Sequence, residues 1–147
     1  MMREEEIFAK KANSGYTVCF AEQCPKREQC LRWKVGQHAP VTMDFCSCVN
    51  PRCQDAATDR CPHYRTTEKV MMAKGMTRIF TDDMPRRVEK YVRNTLIARY
   101  HRTYYFEYRN GSRLIPPAMQ REVLRLFRQA GWNEEVKFDS YIEDYEW

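Results

Sequence analysis

Helical spacing is plainest in the second half of the chain. Val88, Tyr91, Val92, Thr95 and Leu96 recur along one stripe, and Asp82, Asp83 and Pro85 stand before them, where acids and proline suit a helix start. Arg86, Lys90 and Arg93 fall on a different face. A second helix is predicted from about Pro117 to Ala130, with Met119, Val123, Leu126, Phe127 and Ala130 facing a core. Gly131 is placed to end it as a C′ residue, and Trp132 to fold back on Phe127 as in a Schellman cap. Between these helices Tyr104–Ile115 reads as a β-hairpin. Asn110-Gly111 tolerates the positive φ of a type I′ turn, which would set Phe106 opposite Ile115 and put Tyr104, Phe106 and Tyr108 on one face.

Upstream the pattern is more broken. Residues 3–12 fit a short helix with Ile7 and Phe8 facing in and Glu6 and Lys10 as an i,i+4 pair, stopped by Asn13, Ser14 and Gly15. Residues 16–65 are interrupted by Pro25, Gly36, Pro40, Pro51 and Pro62, which allows only short elements. Residues 66–82 are open to two readings: a short helix containing Val70, Met71, Met72 and Met76 and ended by Gly75, or extended chain around Arg78–Phe80. At the end, Val136, Phe138, Tyr141, Ile142, Tyr145 and Trp147 are interleaved with acids. That is too apolar for a free tail, so the segment is expected to pack back.

Cysteine usage changes this picture. All seven cysteines lie between Cys19 and Cys61. The acidic start, Met1–Glu6, does not resemble a secretory signal. A cytoplasmic setting is therefore expected, in which structural disulfides do not persist, and an odd count would in any case leave one thiol unpaired. The thiols form a near-repeat: Cys19, Cys24 and Cys30 are spaced C-x4-C-x5-C, and Cys48, Cys53 and Cys61 C-x4-C-x7-C. Each triplet ends in a similar phrase, Cys30-Leu-Arg-Trp-Lys and Cys61-Pro-His-Tyr-Arg. Cys46 is the seventh thiol, and His38 and His63 are nearby imidazoles.

Structural zinc takes four tetrahedral ligands, commonly four cysteines or three and a histidine. Cys19, Cys24, Cys30, Cys46, Cys48, Cys53 and Cys61 with His63 or His38 are therefore candidate ligands for one or two zinc ions. An iron–sulfur cluster, also held by four thiolates, is the alternative. A set of buried free thiols acting as small apolar residues is the plainer reading of one or two of them. No P-loop, dinucleotide fingerprint or metalloprotease helix occurs, and nothing in the sequence picks out one cysteine with a dedicated histidine partner. A binding role is accordingly expected ahead of catalysis.

Charge adds a candidate partner. Residues 66–132 hold fourteen Lys or Arg against six acids, a net of +8, whereas residues 133–147 hold one Lys against six acids, a net of −5. Arg121, Arg125 and Arg128 form one row on the last helix; Arg86, Lys90 and Arg93 form another. Cationic rows beside aromatic platforms are what nucleic-acid binding uses, and a helix followed by a hairpin permits a winged helix-turn-helix reading. A solvated helix face is the plainer alternative. No apolar run is long enough to span a bilayer, so no membrane partner is expected.

The run Cys24-Pro25 through Cys30-Leu31-Arg32, the segment Ala73–Arg78, and Tyr104-Tyr105 with Arg109-Asn110-Gly111 and Pro116-Pro117 are similar to a family of small cysteine-rich bacterial proteins of unknown function. The resemblance implies a bacterial cytosolic setting and names no metal.

The expected fold is α+β: a cysteine-rich metal-stapled lobe over residues 1–65, then a basic helix, β-hairpin and helix with a packed acidic tail over residues 66–147, the two expected to form one compact unit. The expected function is a zinc-stabilised binding or regulatory module with nucleic acid as partner. A protein-interaction adaptor and an iron–sulfur or thiol-based redox protein are the alternatives.

Overall fold

A computed structural model describes all 147 residues. The fold is α+β, five helices with one two-stranded antiparallel sheet. No helix is long and apolar enough to cross a membrane. The chain divides into two compact units, Met1–Glu68 with Tyr145–Trp147, and Lys69–Asp144.

In the first unit, α1 (Glu4–Asn13) packs on α2 (Leu31–Gln37). Glu6 turns back to Arg3 in a capping box, rather than forward to Lys10. Phe8, Ala12, Val18, Leu31, Val35 and Tyr145 make a small core. Trp147 packs edge-on against Phe8, Tyr16 and Tyr145, and the Tyr145 hydroxyl donates to the Glu4 carboxylate. The rest of this unit is turns and one 3-10 turn over Arg27–Gln29. A core this small gives little stability unaided.

The second unit holds β1 (Lys69–Lys74), α3 (Arg86–Tyr100), α4 (Arg102–Asn110), α5 (Pro117–Gln129) and β2 (Ser140–Tyr145). Val88, Val92 and Leu96 of α3 and Met119, Val123, Leu126 and Phe127 of α5 are buried in one core with Met76, Ile79, Tyr105 and Ile115. The stripe expected for α3 is narrower than the sequence suggests, since Tyr91 stays exposed and donates to Gln129. The end of α5 is a full Schellman motif: the Trp132 amide donates to the Phe127 carbonyl at 2.9 Å, and the Gly131 amide to Arg128 at 3.0 Å. The tail packs back as expected, with Phe138 buried and β2 paired to β1.

Two local readings are overturned. Residues 104–110 are helix α4, not the first strand of a hairpin. Gly111 has φ +85°, but it ends a helix rather than shaping a type I′ turn; both jobs need positive φ, so Asn-Gly alone does not distinguish them. Ile115 pairs with Ala73 of β1, with amide–carbonyl distances of 2.8 and 2.9 Å, and not with Phe106. The wing of a winged helix-turn-helix is thereby lost. Residues 69–74 are a strand rather than a short helix, and Arg78–Phe80 lies in turns rather than extended chain.

The turn after β1 is held from far along the chain. The Asp139 carboxylate accepts from the Thr77 amide at 3.1 Å, the Thr77 hydroxyl at 2.7 Å and the Arg78 amide at 3.1 Å. Gly75, at φ +84°, passes so close that a Cβ there would lie 2.5 Å from the same carboxylate. Burial alone would raise the Asp139 pKa, but these donors outweigh it and hold the carboxyl below its ordinary value.

Candidate metal centre

The thiol region is assembled by short backbone pairings. Val18 pairs in parallel with Cys48, through the Val18 amide to Ser47 at 3.0 Å and the Val49 amide to Val18 at 2.9 Å, which sets Cys19 beside Cys48. Cys30 pairs antiparallel with Thr66, and the Leu31 amide donates to the Arg65 carbonyl at 2.7 Å. This lays the two similar phrases, Cys30-Leu-Arg-Trp-Lys and Cys61-Pro-His-Tyr-Arg, side by side. The Cys19 amide donates to the Arg32 carbonyl at 2.9 Å, so the start of the first triplet lies against α2. That approach is close enough that a Cβ on Gly36 would lie 2.8 Å from the Cys19 carbonyl oxygen.

Cys24, Cys53 and Cys61 each open a tight turn, their carbonyls accepting from the amides of Arg27, Ala56 and Tyr64 at 3.3, 3.1 and 3.3 Å. The turn after Cys53 holds two L residues at positive φ, Asp55 at 63° and Ala57 at 60°. For alanine this conformation is costly without a compensating local hydrogen bond.

Together these segments form an open cavity of about 300 Å³, whose lining includes Cys19, Cys24, Cys30, Cys48, Cys61 and His63. Cys53 stands behind His63, its Sγ 3.6 Å from Nε2. Cys24 and Cys30 are buried, Cys19 and Cys61 half-buried, and Cys48 exposed at the rim. No three ligand side chains converge on one point that a single ion could occupy. Phe20, Trp33 and Val49 give the wall an apolar character, while Lys26, Arg27 and Arg32 supply positive charge. Arg32 is fixed by bonds to the His63 carbonyl at 2.7 Å and the Thr17 carbonyl at 2.8 Å. Lys26 Nζ lies 4.6 Å from the centre of the Tyr64 ring.

Burial pushes the Cys19 thiol up. A hydrogen bond from the Ala21 amide opposes this, and the neighbouring Cys30, Cys24 and Cys61 raise it further.

Three of the candidate ligands do not line the cavity: Cys53, which reaches it only through its contact with His63, Cys46 and His38. Cys46 is exposed and lies outside the lining. His38 lies at the end of α2, with Nδ1 2.8 Å from the Lys34 carbonyl and its ring 5.5 Å from Phe8. It faces a different depression, shared with Glu4, Glu5, Lys34 and Thr67.

In the second unit, Arg121, Arg125 and Arg128 are exposed along α5, and Arg86 and Lys90 along α3. Arg125 pairs with Glu122 of its own helix, and Arg93 with Glu89 of its own. Glu122 also pairs with Arg99. Arg86, Lys90, Arg121 and Arg128 have no carboxylate within ion-pair reach. The expected aromatic platform is differently built. Tyr105 is buried, and the exposed rings of Tyr104 and Phe106 are already covered by guanidinium groups, Arg113 at 4.3 Å and Arg102 at 5.1 Å. A base stacking there would have to displace a cation–π partner.

Residues 2–147 match the model of one protein family, described as a family of unknown function (DUF6078). No curated protein and no solved structure matches the chain.

Proposed function

The chain belongs to the DUF6078 family, and we propose that its first unit is a metal–thiolate module serving a binding or regulatory role. The observation that carries this is the gathering of five thiols and His63 from both cysteine triplets around one cavity. Sequence distance does not require it: Cys19 and Cys61 are drawn together by pairings at Val18–Cys48 and Cys30–Thr66. Zinc, as one or two ions, is the simplest occupant chemically, since sets of four thiolates, or of three thiolates and an imidazole, suit it. The small core of the first unit makes metal binding part of its folding energy, which for small zinc modules is on the order of 10 kcal/mol. A strong chelator under reducing conditions should therefore remove hydrogen-exchange protection from residues 16–65 while sparing α3 and α5. Unchanged protection, in protein shown to have lost its metal, would refute the stapling role.

For the second unit we propose a polyanion surface, with nucleic acid as the partner. Arg86, Lys90, Arg121 and Arg128, exposed and free of carboxylate partners, support it. Phosphate attraction rather than base stacking would drive the binding, because the exposed rings of α4 already carry guanidinium partners. A protein with an acidic face is the outcome to consider if no nucleic acid binds.

A further inference from the structure

A two-stranded sheet has two outer edges, and the backbone N–H and C=O groups along each need a partner or water. The β1 edge is closed from within the chain. Ala73 exchanges amide–carbonyl bonds with Ile115 at 2.9 and 2.8 Å, and the Gln120 side chain of α5 donates to the Met71 carbonyl at 3.0 Å. The β2 edge is left open. No third strand lies beyond it, and outside the ladder with β1 no backbone bond is made by Tyr141, Ile142 or Glu143. All three residues are exposed, Tyr141 by 53% and Ile142 by 44%. We propose that this edge is an interaction surface that takes an added strand: an extended segment of a partner protein in which lysine or arginine alternates with apolar residues.

The chemistry along the strand selects the occupant. Successive residues of a strand point to opposite faces, so Tyr141 and Ile142 offer the side chains of an added strand one apolar neighbour on each face. The charge of the edge is negative. Glu143 is exposed and has no cation within ion-pair reach. Asp144 follows it, and residues 137–147 carry four acids against one lysine. The lysines of the sheet, Lys69 and Lys74, stand on β1, so an incoming strand meets the β2 acids first. A second copy of β2 is a poor occupant, because it would bring Glu143 and Asp144 close to their own equivalents, and like charges across a strand pair are destabilising. A polyanion is repelled by the same acids. A basic extended segment is favoured on both counts: main-chain bonds give it affinity, and its alternating side chains give it selectivity. The edge uses neither the thiols nor the cationic rows of α3 and α5.

The test uses the full chain and three short capped peptides: one alternating lysine and valine, one alternating glutamate and valine, and a fully N-methylated form of the first, which keeps its charge and apolar surface but has no amide to donate. Binding is read by fluorescence anisotropy, and its place by hydrogen exchange. The lysine–valine peptide is expected to bind and to slow exchange within Tyr141–Glu143, the glutamate–valine peptide not to bind, and the N-methylated peptide to bind about tenfold more weakly or not at all. Glu143→Lys, at an exposed side chain, should weaken the lysine–valine peptide roughly tenfold and admit the glutamate–valine peptide, with an unchanged far-ultraviolet spectrum. Sedimentation of the chain alone should show no growth in mass with concentration. Absence of binding by the lysine–valine peptide at low salt overturns the proposal. Equal binding of the N-methylated form overturns it too, since charge attraction would then act without strand addition. A dimer that shields Tyr141–Glu143 from exchange makes a second copy the occupant and overturns the choice of a basic partner.

Discussion

Removing the Asp139 carboxylate tests how the second unit is closed. Asp139→Ala deletes an acceptor of three hydrogen bonds, from the Thr77 amide and hydroxyl and the Arg78 amide. A bond to a charged acceptor contributes about 1.5–3 kcal/mol when buried. Asp139 is partly exposed, and solvent screening reduces that, so a total of about 2 kcal/mol is the reasonable expectation. In hydrogen exchange of the Thr77 and Arg78 amides this corresponds to roughly thirtyfold faster opening. The pH dependence has a definite sign. The folded pKa of Asp139 is depressed below its ordinary 3.8, so its stabilisation is fully present above that value. It is lost as pH falls through the lower folded pKa. The gap between wild type and Asp139→Asn, after correction for intrinsic exchange, should be constant from neutral pH to about 5 and close toward pH 2. A gap smaller than about threefold at neutral pH would show that the clamp does not hold the turn. A gap unchanged at the acid end would show that its charge is irrelevant.

Gly36→Ala should weaken the first unit, because its Cβ would press on the Cys19 carbonyl at 2.8 Å. Overpacking of about 1–3 kcal/mol exceeds the gain in helix propensity, and metal retention in a chelator competition should fall. Gly111→Ala should cost about 1 kcal/mol in urea unfolding of the second unit, since φ +85° suits glycine and Lys74 Cγ stands 3.3 Å from the added carbon. No loss would mean that the end of α4 is not formed as described. Arg121→Glu with Arg128→Glu should abolish salt-sensitive binding to single-stranded DNA or RNA in fluorescence anisotropy, with an unchanged far-ultraviolet spectrum. If the unmodified chain binds no nucleic acid at low salt, the polyanion proposal for the second unit fails.

Local signals carried the elements that local physics decides. Helix α5 was legible because proline at its first turn, a 3.6-residue apolar period and Gly131 all agree, and its cap followed down to Trp132. Helix α4 was not, because Asn110-Gly111 serves a hairpin or a helix end equally well. What decides is that Ile115 finds its partner at Ala73, far upstream. The same distance hid β1, whose run of methionines fits either period and whose pairing with β2 spans most of the second unit. The Asp139 clamp, sixty-two residues from Thr77, left no local trace. At the candidate metal centre the triplets and His63 were legible as candidates from spacing alone. Which thiols share one cavity was not, because two long-range pairings within the chain bring Cys48 and Cys61 to Cys19 and Cys30 while leaving Cys46, Cys53 and His38 outside the lining.

The central claim is that protein sulfur binds metal in the first unit. X-ray absorption at the metal edge of the native, anaerobically purified protein tests it most directly. The expected result is a shell of about four sulfur atoms near 2.3 Å, lost in parallel with exchange protection of residues 16–65 when the metal is removed. A first shell of oxygen and nitrogen alone, or a fully protected first unit in protein without metal, would contradict it.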